Sequence, residues 1–187
     1  MSENPTSNPT PYNLAPDEKS APVMAYTETS MVWGDVIVKE VIRVSTWLRT
    51  SMIPDHLHLL NARSLLITGG NPARAAFFKE LHLPTAQIIA FHLIPPAKDP
   101  PDYDPNEPNR KLEPVTLLVG PFRLDGNLRL AGKANLAKYI DISHELYTSL
   151  YDVEISYPGL PSLGTVRVPF MLARMAGAIF ATRKDPA

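Results

Sequence analysis

The sequence has no cysteine, no long apolar run and no excess of charge of either sign. Without cysteine the chain can form neither a disulfide nor a thiolate metal site, as is typical of proteins in a reducing compartment. Its 18 basic and 19 acidic residues give a formal charge of -1, which disfavours nucleic acid as a partner. The apolar segment 168–182 is interrupted by Pro169 and Arg174 and is too short to cross a bilayer of about 30 Å.

The N-terminus lacks the basic start and the apolar core of a secretory signal. Together with the absence of a membrane segment, this predicts a cytoplasmic globular protein.

Proline, by contrast, is abundant, with 20 residues gathered mainly in two segments. Residues 1–23 combine proline with Ser, Asn and Thr and carry little apolar surface to offset the entropy of ordering, so we expect a disordered tail. Residues 95–114 are similarly rich in proline, which favours extended conformations and predicts a linker.

The segments on either side of this linker are similar to each other. A shift of 92 residues brings seven apolar or glycine positions of the first onto similar residues of the second. The matched residues are Val32, Gly34, Val36, Val38, Val44, Trp47 and Leu48 with Leu124, Gly126, Leu128, Leu130, Leu136, Tyr139 and Ile140. The match predicts an internal repeat. The domain boundaries that follow are 1–23, 24–94, 95–114, 115–182 and a C-terminal tail, 183–187.

Each predicted repeat begins with alternating apolar and polar residues, which favours a hairpin. We expect the turns at Gly34-Asp35 and at Asp125-Gly126, because Asp-Gly is typical of two-residue hairpin loops. Helical spacing follows in each copy, with Trp47 and Tyr139 as equivalent core residues.

Further strands are expected after each helix, and the segment 73–81 of the first copy is expected to be an inserted helix. The segment 170–180 fits a strand by comparison with the first copy, although its spacing also fits a helix. The predicted fold is therefore β-rich α+β, with two repeats of strand-strand-short helix-strand-strand packed around a pseudo-twofold axis.

The sequence offers few groups for chemistry. His56 and His58 form an H-x-H pair that a strand would place on one face, as metal ligands require, but no third ligand has a recognisable spacing. No nucleophile elbow, zinc-protease motif or phosphate loop occurs. We therefore predict a protein that is not an enzyme and has no cofactor, with His56 and His58 as the candidate metal ligands.

Four residues are candidates for contact with a partner: Trp33, Arg43, Arg49 and Tyr103. The stretch Arg43-Val44-Ser45-Thr46-Trp47-Leu48-Arg49 resembles a class of small uncharacterised bacterial domains in which a hairpin precedes an R-[LV]-S-x-[FW]-L-[NR] stretch. The function of that class is unassigned, so the resemblance implies the hairpin and helix but no activity.

Three functions from different classes are open at this point. The preferred hypothesis is a protein-interaction or scaffold protein that binds another chain or copies of itself, with residues 1–23 folding on the partner. The alternatives are a module that binds a small ligand or anion in a pocket between the repeats, and a metal-dependent enzyme that uses the H-x-H pair.

Overall fold

The computed structural model describes residues 12–51, 53–67, 74–104 and 106–183, and within them it forms one ten-stranded antiparallel sheet. The β-rich prediction is confirmed. The first half of the chain contains β1 (Glu18–Tyr26), β2 (Ser30–Lys39), a 3₁₀-helix (Val44–Arg49), β3 (His56–Leu66), β4 (Ala76–Pro84), a 3₁₀-helix (Thr85–Gln87) and β5 (Ala90–Leu93). The second half contains β6 (Arg110–Val119), β7 (Phe122–Ala131), α1 (Leu136–Ile142), β8 (Tyr147–Ser156), a 3₁₀-helix (Pro161–Leu163), β9 (Thr165–Arg174) and β10 (Ile179–Thr182).

The strands follow the order β10-β6-β7-β8-β9-β5-β1-β2-β3-β4 across the sheet. In the first half, β1 to β4 run side by side and β5 returns to the free side of β1. In the second half, β6 to β9 run side by side and β10 returns to β6. The halves meet where β9 pairs with β5. Each half thus has five strands, one more than the four expected.

The hairpin turns lie elsewhere than at the predicted dipeptides. Gly34 is inside β2, opposite Val23, and Gly126 is inside β7, opposite Val115. The chain turns instead at residues 27–29, where the Ser30 N–H donates to the Thr27 hydroxyl at 2.9 Å, and at residues 120–121. The predicted turns were wrong because a glycine in a strand also marks a bulge or a close backbone approach.

Both of those glycines face a bulge in the next strand. On β3 the residues Asn61 and Ala62 lie opposite Gly34, and on β8 Asp152 and Val153 lie opposite Gly126. A Cβ on Gly34 would lie 2.7 Å from the carbonyl oxygen of Leu60, so no other residue fits there without movement. The bulge, rather than a turn, therefore accounts for each glycine.

The predicted tail and linker are both too long. β1 begins at Glu18, and the Val23 side chain is fully buried between β2 and β5, so residues 18–23 are part of the sheet. Their alternation was obscured by Pro22, which a strand accepts here because its missing donor falls at the end of the β1–β5 ladder. Residues 110–114 likewise belong to β6. Residues 1–11 lie outside the described part of the chain.

The helix expected at residues 73–81 is also wrong, because β4 starts at Ala76; residue 73 lies outside the described residues. Pairing with β3 imposes the strand on a sequence whose local spacing suits a helix. At residues 170–180 the strand prediction is correct, since β9 and β10 flank a short turn.

Among the described residues, no helix has the length and apolar character to span a membrane.

Two hydrophobic cores lie on the sheet, and each takes side chains from both halves of the chain. The core of the first half includes Tyr147 and Leu172 from the second. The core of the second half includes Tyr26, Ile67 and Ile89 from the first. Trp47 packs against the first core and Tyr139 against the second, and both are partly buried. The shared cores fix the two halves against each other.

Candidate functional sites

The junction between the halves is a short, fully buried strand pair. Ala90 lies opposite Ala173 and Phe91 opposite Leu172, and all four are buried. The Arg174 N–H donates to the Ile89 carbonyl at 2.8 Å, which continues the ladder. The fourth strand of one half thereby meets the fifth strand of the other.

A charged network crosses this junction through Arg49, at the end of the first 3₁₀-helix. Its guanidinium donates to Glu145 and to Ser149, at 2.9 Å each. Asp102 of the linker lies 3.4 Å from the same guanidinium and accepts hydrogen bonds from Ser149 at 2.9 Å and Tyr151 at 2.7 Å. Burial, together with the hydrogen bond to Asp102, raises the pKa of Tyr151 well above its ordinary value, so the phenol stays protonated and donates. Arg49 therefore connects the first half with the linker and the second half through its hydrogen bonds and ion pairs.

A cavity of about 560 Å³ lies beside this network, beneath the linker. Leu93 and Phe170 contribute apolar surface from either side of the junction, and Tyr103 and Tyr151 contribute aromatic rings. Two carboxylates at its rim have partners, since Asp99 accepts from the Ser45 N–H at 2.7 Å and Asp102 belongs to the charged network. The cavity is thus a mainly apolar space with charged side chains at its edge.

The other interaction candidates are dispersed. Tyr103 is held between the guanidinium of Arg129, 4.3 Å from its ring centre, and the ring of Tyr151 at 5.3 Å. Trp33 is half-buried within β2, and Arg43 is exposed immediately before the first 3₁₀-helix. Arg49 and Tyr103 share the region of Asp102, whereas Trp33 and Arg43 contribute to neither the cavity nor the charged network.

Only one residue of the H-x-H pair, His58, belongs to a group of possible metal ligands. His58 lies opposite His82 on β4, with the two imidazole rings stacked at 4.5 Å, and its Nε2 is 3.4 Å from a carboxylate oxygen of Glu80. His56 lies opposite Pro84 instead. The sequence therefore found one member of a three-residue group and missed Glu80 and His82, because only the β3–β4 register brings them to His58.

The outer strands β4 and β10 each pair on one side only within the described residues. The Thr85 N–H donates to Asp55 on the β3 side, so the alternation of an antiparallel ladder points the His82 N–H outward. The Arg183 N–H donates to Pro114 on the β6 side, which points the Phe180 N–H outward in the same way. Both edges carry exposed apolar side chains, with Phe77 70% and Ile179 63% exposed. Such edges are templates for another strand.

Comparison with protein-family models, with curated proteins and with solved structures finds no match to this chain.

Proposed function

We propose that this is a non-enzymatic assembly protein whose copies join head to tail, with β4 of one chain against β10 of the next. The observation that carries the proposal is the β9–β5 junction, which pairs the fourth strand of one half with the fifth strand of the other. The fourth strand of the first half is β4 and the fifth strand of the second is β10, the two strands at the ends of the sheet. The two edge strands are thus of the same kinds as the two strands that already pair inside the chain, and they can pair in the same way between chains.

The proposal takes the halves to be copies of one five-stranded unit, and the ladder registers support this. Val23 pairs with Leu93 at the start of the β1–β5 ladder, and Val115 pairs with Thr182 at the same step of the β6–β10 ladder. The bulges also correspond, since each glycine lies opposite the first and second residues after a matching ladder partner, Leu60 on β3 and Tyr151 on β8. Counting along these ladders makes Ile179 and Phe180 the counterparts of Ala90 and Phe91.

The same count gives the register of the contact between chains. Leu57 on β3 and Thr148 on β8 lie at equal distances from the two bulges, and they pair with Leu83 and Ala173. Leu83 is therefore the counterpart of Ala173. One residue earlier, His82 is the counterpart of Leu172. We therefore expect Ile179 opposite Leu83 and Phe180 opposite His82. The outward backbone groups of His82 and Phe180 would exchange hydrogen bonds, as in any antiparallel pair.

This contact should be weaker than the internal junction. The counterpart of Arg174, whose N–H completes the β9–β5 ladder, is Pro84, which has no N–H to donate. One hydrogen bond is therefore lost, and we expect reversible, concentration-dependent association.

The head-to-tail arrangement also bears on the predicted pseudo-twofold axis. An exact twofold axis within the chain would pair β4 with β10 whenever it pairs β9 with β5, and the described residues contain no β4–β10 ladder. A contact between two different edges repeats from copy to copy until a ring closes or a filament grows. The assembly is thus expected to exceed a dimer.

Two variants, each blocking one edge, test the proposal. His82→Pro removes the outward N–H of β4 while leaving the β3 ladder, which uses the alternate residues. Ile179→Lys places a charge at a position that is 63% exposed in the single chain, whereas its counterpart Ala90 is 1% exposed at the internal junction. His82→Ala keeps the N–H and is the matched control.

Sedimentation equilibrium and light scattering give the readout. Wild type and His82→Ala should associate with rising concentration, whereas His82→Pro and Ile179→Lys should each remain monomeric. Mixed at equal concentrations, the two blocked variants should form a one-to-one dimer and nothing larger, because each retains the edge the other needs. A wild-type protein that stays monomeric at millimolar concentration, or a blocked variant that dimerises alone, contradicts the proposal. Circular dichroism verifies that each variant is folded.

The cavity beneath the linker favours a second candidate function, the binding of a small apolar ligand. Its volume and aromatic lining suit a compact hydrophobic molecule, and residues from both halves and from the linker line it. A thermal-shift screen of small aromatic compounds tests this, with Phe170→Trp as a variant that fills the space. Compounds that stabilise both proteins equally would argue against binding in this cavity.

A further inference from the structure

The group of His58, Glu80 and His82 has the spacing of a set of metal ligands. One ligand atom from each residue lies within 4.8 Å of the other two. The separation of 3.4 Å between His58 Nε2 and a Glu80 oxygen is close to the roughly 3.3 Å between neighbouring ligands on a tetrahedral zinc ion with bonds of 2.0–2.1 Å. Because the His58 and His82 rings are stacked in nearly parallel planes, the imidazoles must rotate for both to bind the same ion.

The backbone explains why these side chains meet. Glu80 and His82 are two residues apart on β4 and project from the same face. His58 lies directly opposite His82 in a pair whose backbones do not bond to each other, the type of antiparallel pair in which side chains are closest. The sheet itself therefore holds the three donors together, and no loop has to order around an ion.

The chemistry of the donors selects a class of ion. Two imidazoles and one carboxylate suit zinc and the neighbouring transition metals, whereas magnesium and calcium prefer oxygen ligands alone. All three residues are exposed, so an ion has direct access. A fourth position would remain for water.

We propose that His58, Glu80 and His82 form a binding site for a divalent transition-metal ion, with Zn²⁺ as the expected ligand. The site goes beyond the proposed assembly and does not depend on it, because strand addition at β4 uses backbone groups whereas the ion uses side chains on the face of the sheet.

Isothermal titration with zinc chloride, on protein without a histidine tag, tests the site. We expect one ion per chain, and a dissociation constant raised at least ~10-fold by His58→Ala, by His82→Ala or by Glu80→Gln. His56→Ala is the matched control, since His56 is on the same strand and exposed but lies opposite Pro84. It should leave the affinity unchanged. Cobalt substitution should give the visible absorption of a four-coordinate site in wild type and in His56→Ala only.

The outcomes separate this proposal from the assembly proposal. Ile179→Lys should lose association and keep zinc, whereas His58→Ala, on the inner strand β3, should lose zinc and keep association. The metal site is overturned if wild type takes up no zinc, or if His56→Ala weakens binding as much as His58→Ala does. Because all five substituted residues are exposed, thermal unfolding should show every variant to be folded.

Discussion

Asn61 and Asp152 adopt the same left-handed backbone conformation, with φ of 49° and 51°, at the bulge in the third strand of each half. Asn and Asp enter this region more readily than other residues with a Cβ, which explains their presence at the two sites. Each lies one residue before the position that packs against a strand glycine.

Substitution of Asp152 tests the importance of that conformation. Asp152→Val should lower the free energy of unfolding by roughly 1–2 kcal/mol, because a β-branched residue is strained at positive φ. Asp152→Gly should be neutral or stabilising and Asp152→Asn neutral. Urea denaturation measures all three, and equal stability of the valine and glycine variants would contradict the argument.

The two strand glycines should differ in their tolerance of alanine. A Cβ at Gly34 would be 2.7 Å from a backbone oxygen, whereas at Gly126 the nearest atom is a methyl group of Val153 at 3.0 Å. A side chain can move more easily than a strand. We expect Gly34→Ala to cost about 3 kcal/mol and Gly126→Ala about 1 kcal/mol in unfolding free energy. The reverse order in chemical denaturation would show that β3 shifts more readily than Val153.

A buried histidine should make stability fall in acid. His92 Nδ1–H donates to the Leu93 carbonyl at 2.7 Å and Nε2 accepts from the Tyr26 hydroxyl at 3.0 Å, so the ring is held neutral. Burial lowers the pKa of His92 to about 4, whereas its ordinary value is 6.5. The unfolded chain then binds a proton between pH 6.5 and 4 that the folded chain does not.

Stability should therefore be complete above pH 6.5 and decline towards pH 4, by up to about 3 kcal/mol from this group. Urea denaturation from pH 4 to 8 gives the profile. His92→Gln should flatten it over that interval, at the cost of a lower stability at neutral pH. A variant with the wild-type slope would assign the acid sensitivity to other groups.

Two truncations at the N-terminus should distinguish the role of residues 1–11 from that of strand β1. Removal of residues 1–23 deletes most of β1, which pairs with both β2 and β5, so we expect no folded protein by circular dichroism. Removal of residues 1–11 leaves every described strand intact and should preserve both the fold and the concentration-dependent association. Loss of association in the shorter truncation would favour the hypothesis that residues 1–23 bind the partner.

The sequence predicted the strand-rich class because that class depends on local composition and alternation. The sequence-based prediction was wrong where one residue type is common in two different local structures. Gly34 and Gly126 suit a turn and a bulge equally well, and only the backbone of the neighbouring strand decides between them. Pro22 similarly suggested a tail, although a strand accepts proline where the ladder ends.

The candidate sites were less accessible to sequence reasoning. His58 was found because H-x-H is a local pattern, but Glu80 and His82 join it only through the register of β3 with β4, and β4 itself was expected to be helical. The junction at Phe91 and Leu172 unites residues far apart in the chain. Local spacing contains no information about either pairing.

The order of the strands also has a consequence for biosynthesis. Every strand of the first half, including β5, is synthesised before β6, and these five strands need no later segment to complete their ladders with one another. The ladders of the first half can therefore form during translation, before Tyr147 and Leu172 complete its core, and the exposed β5 edge then offers a surface for β9. Correct docking of β9 within the nascent chain competes with capture of the same edge by a neighbouring molecule, so misassembly at high expression should arise while the second half is being synthesised.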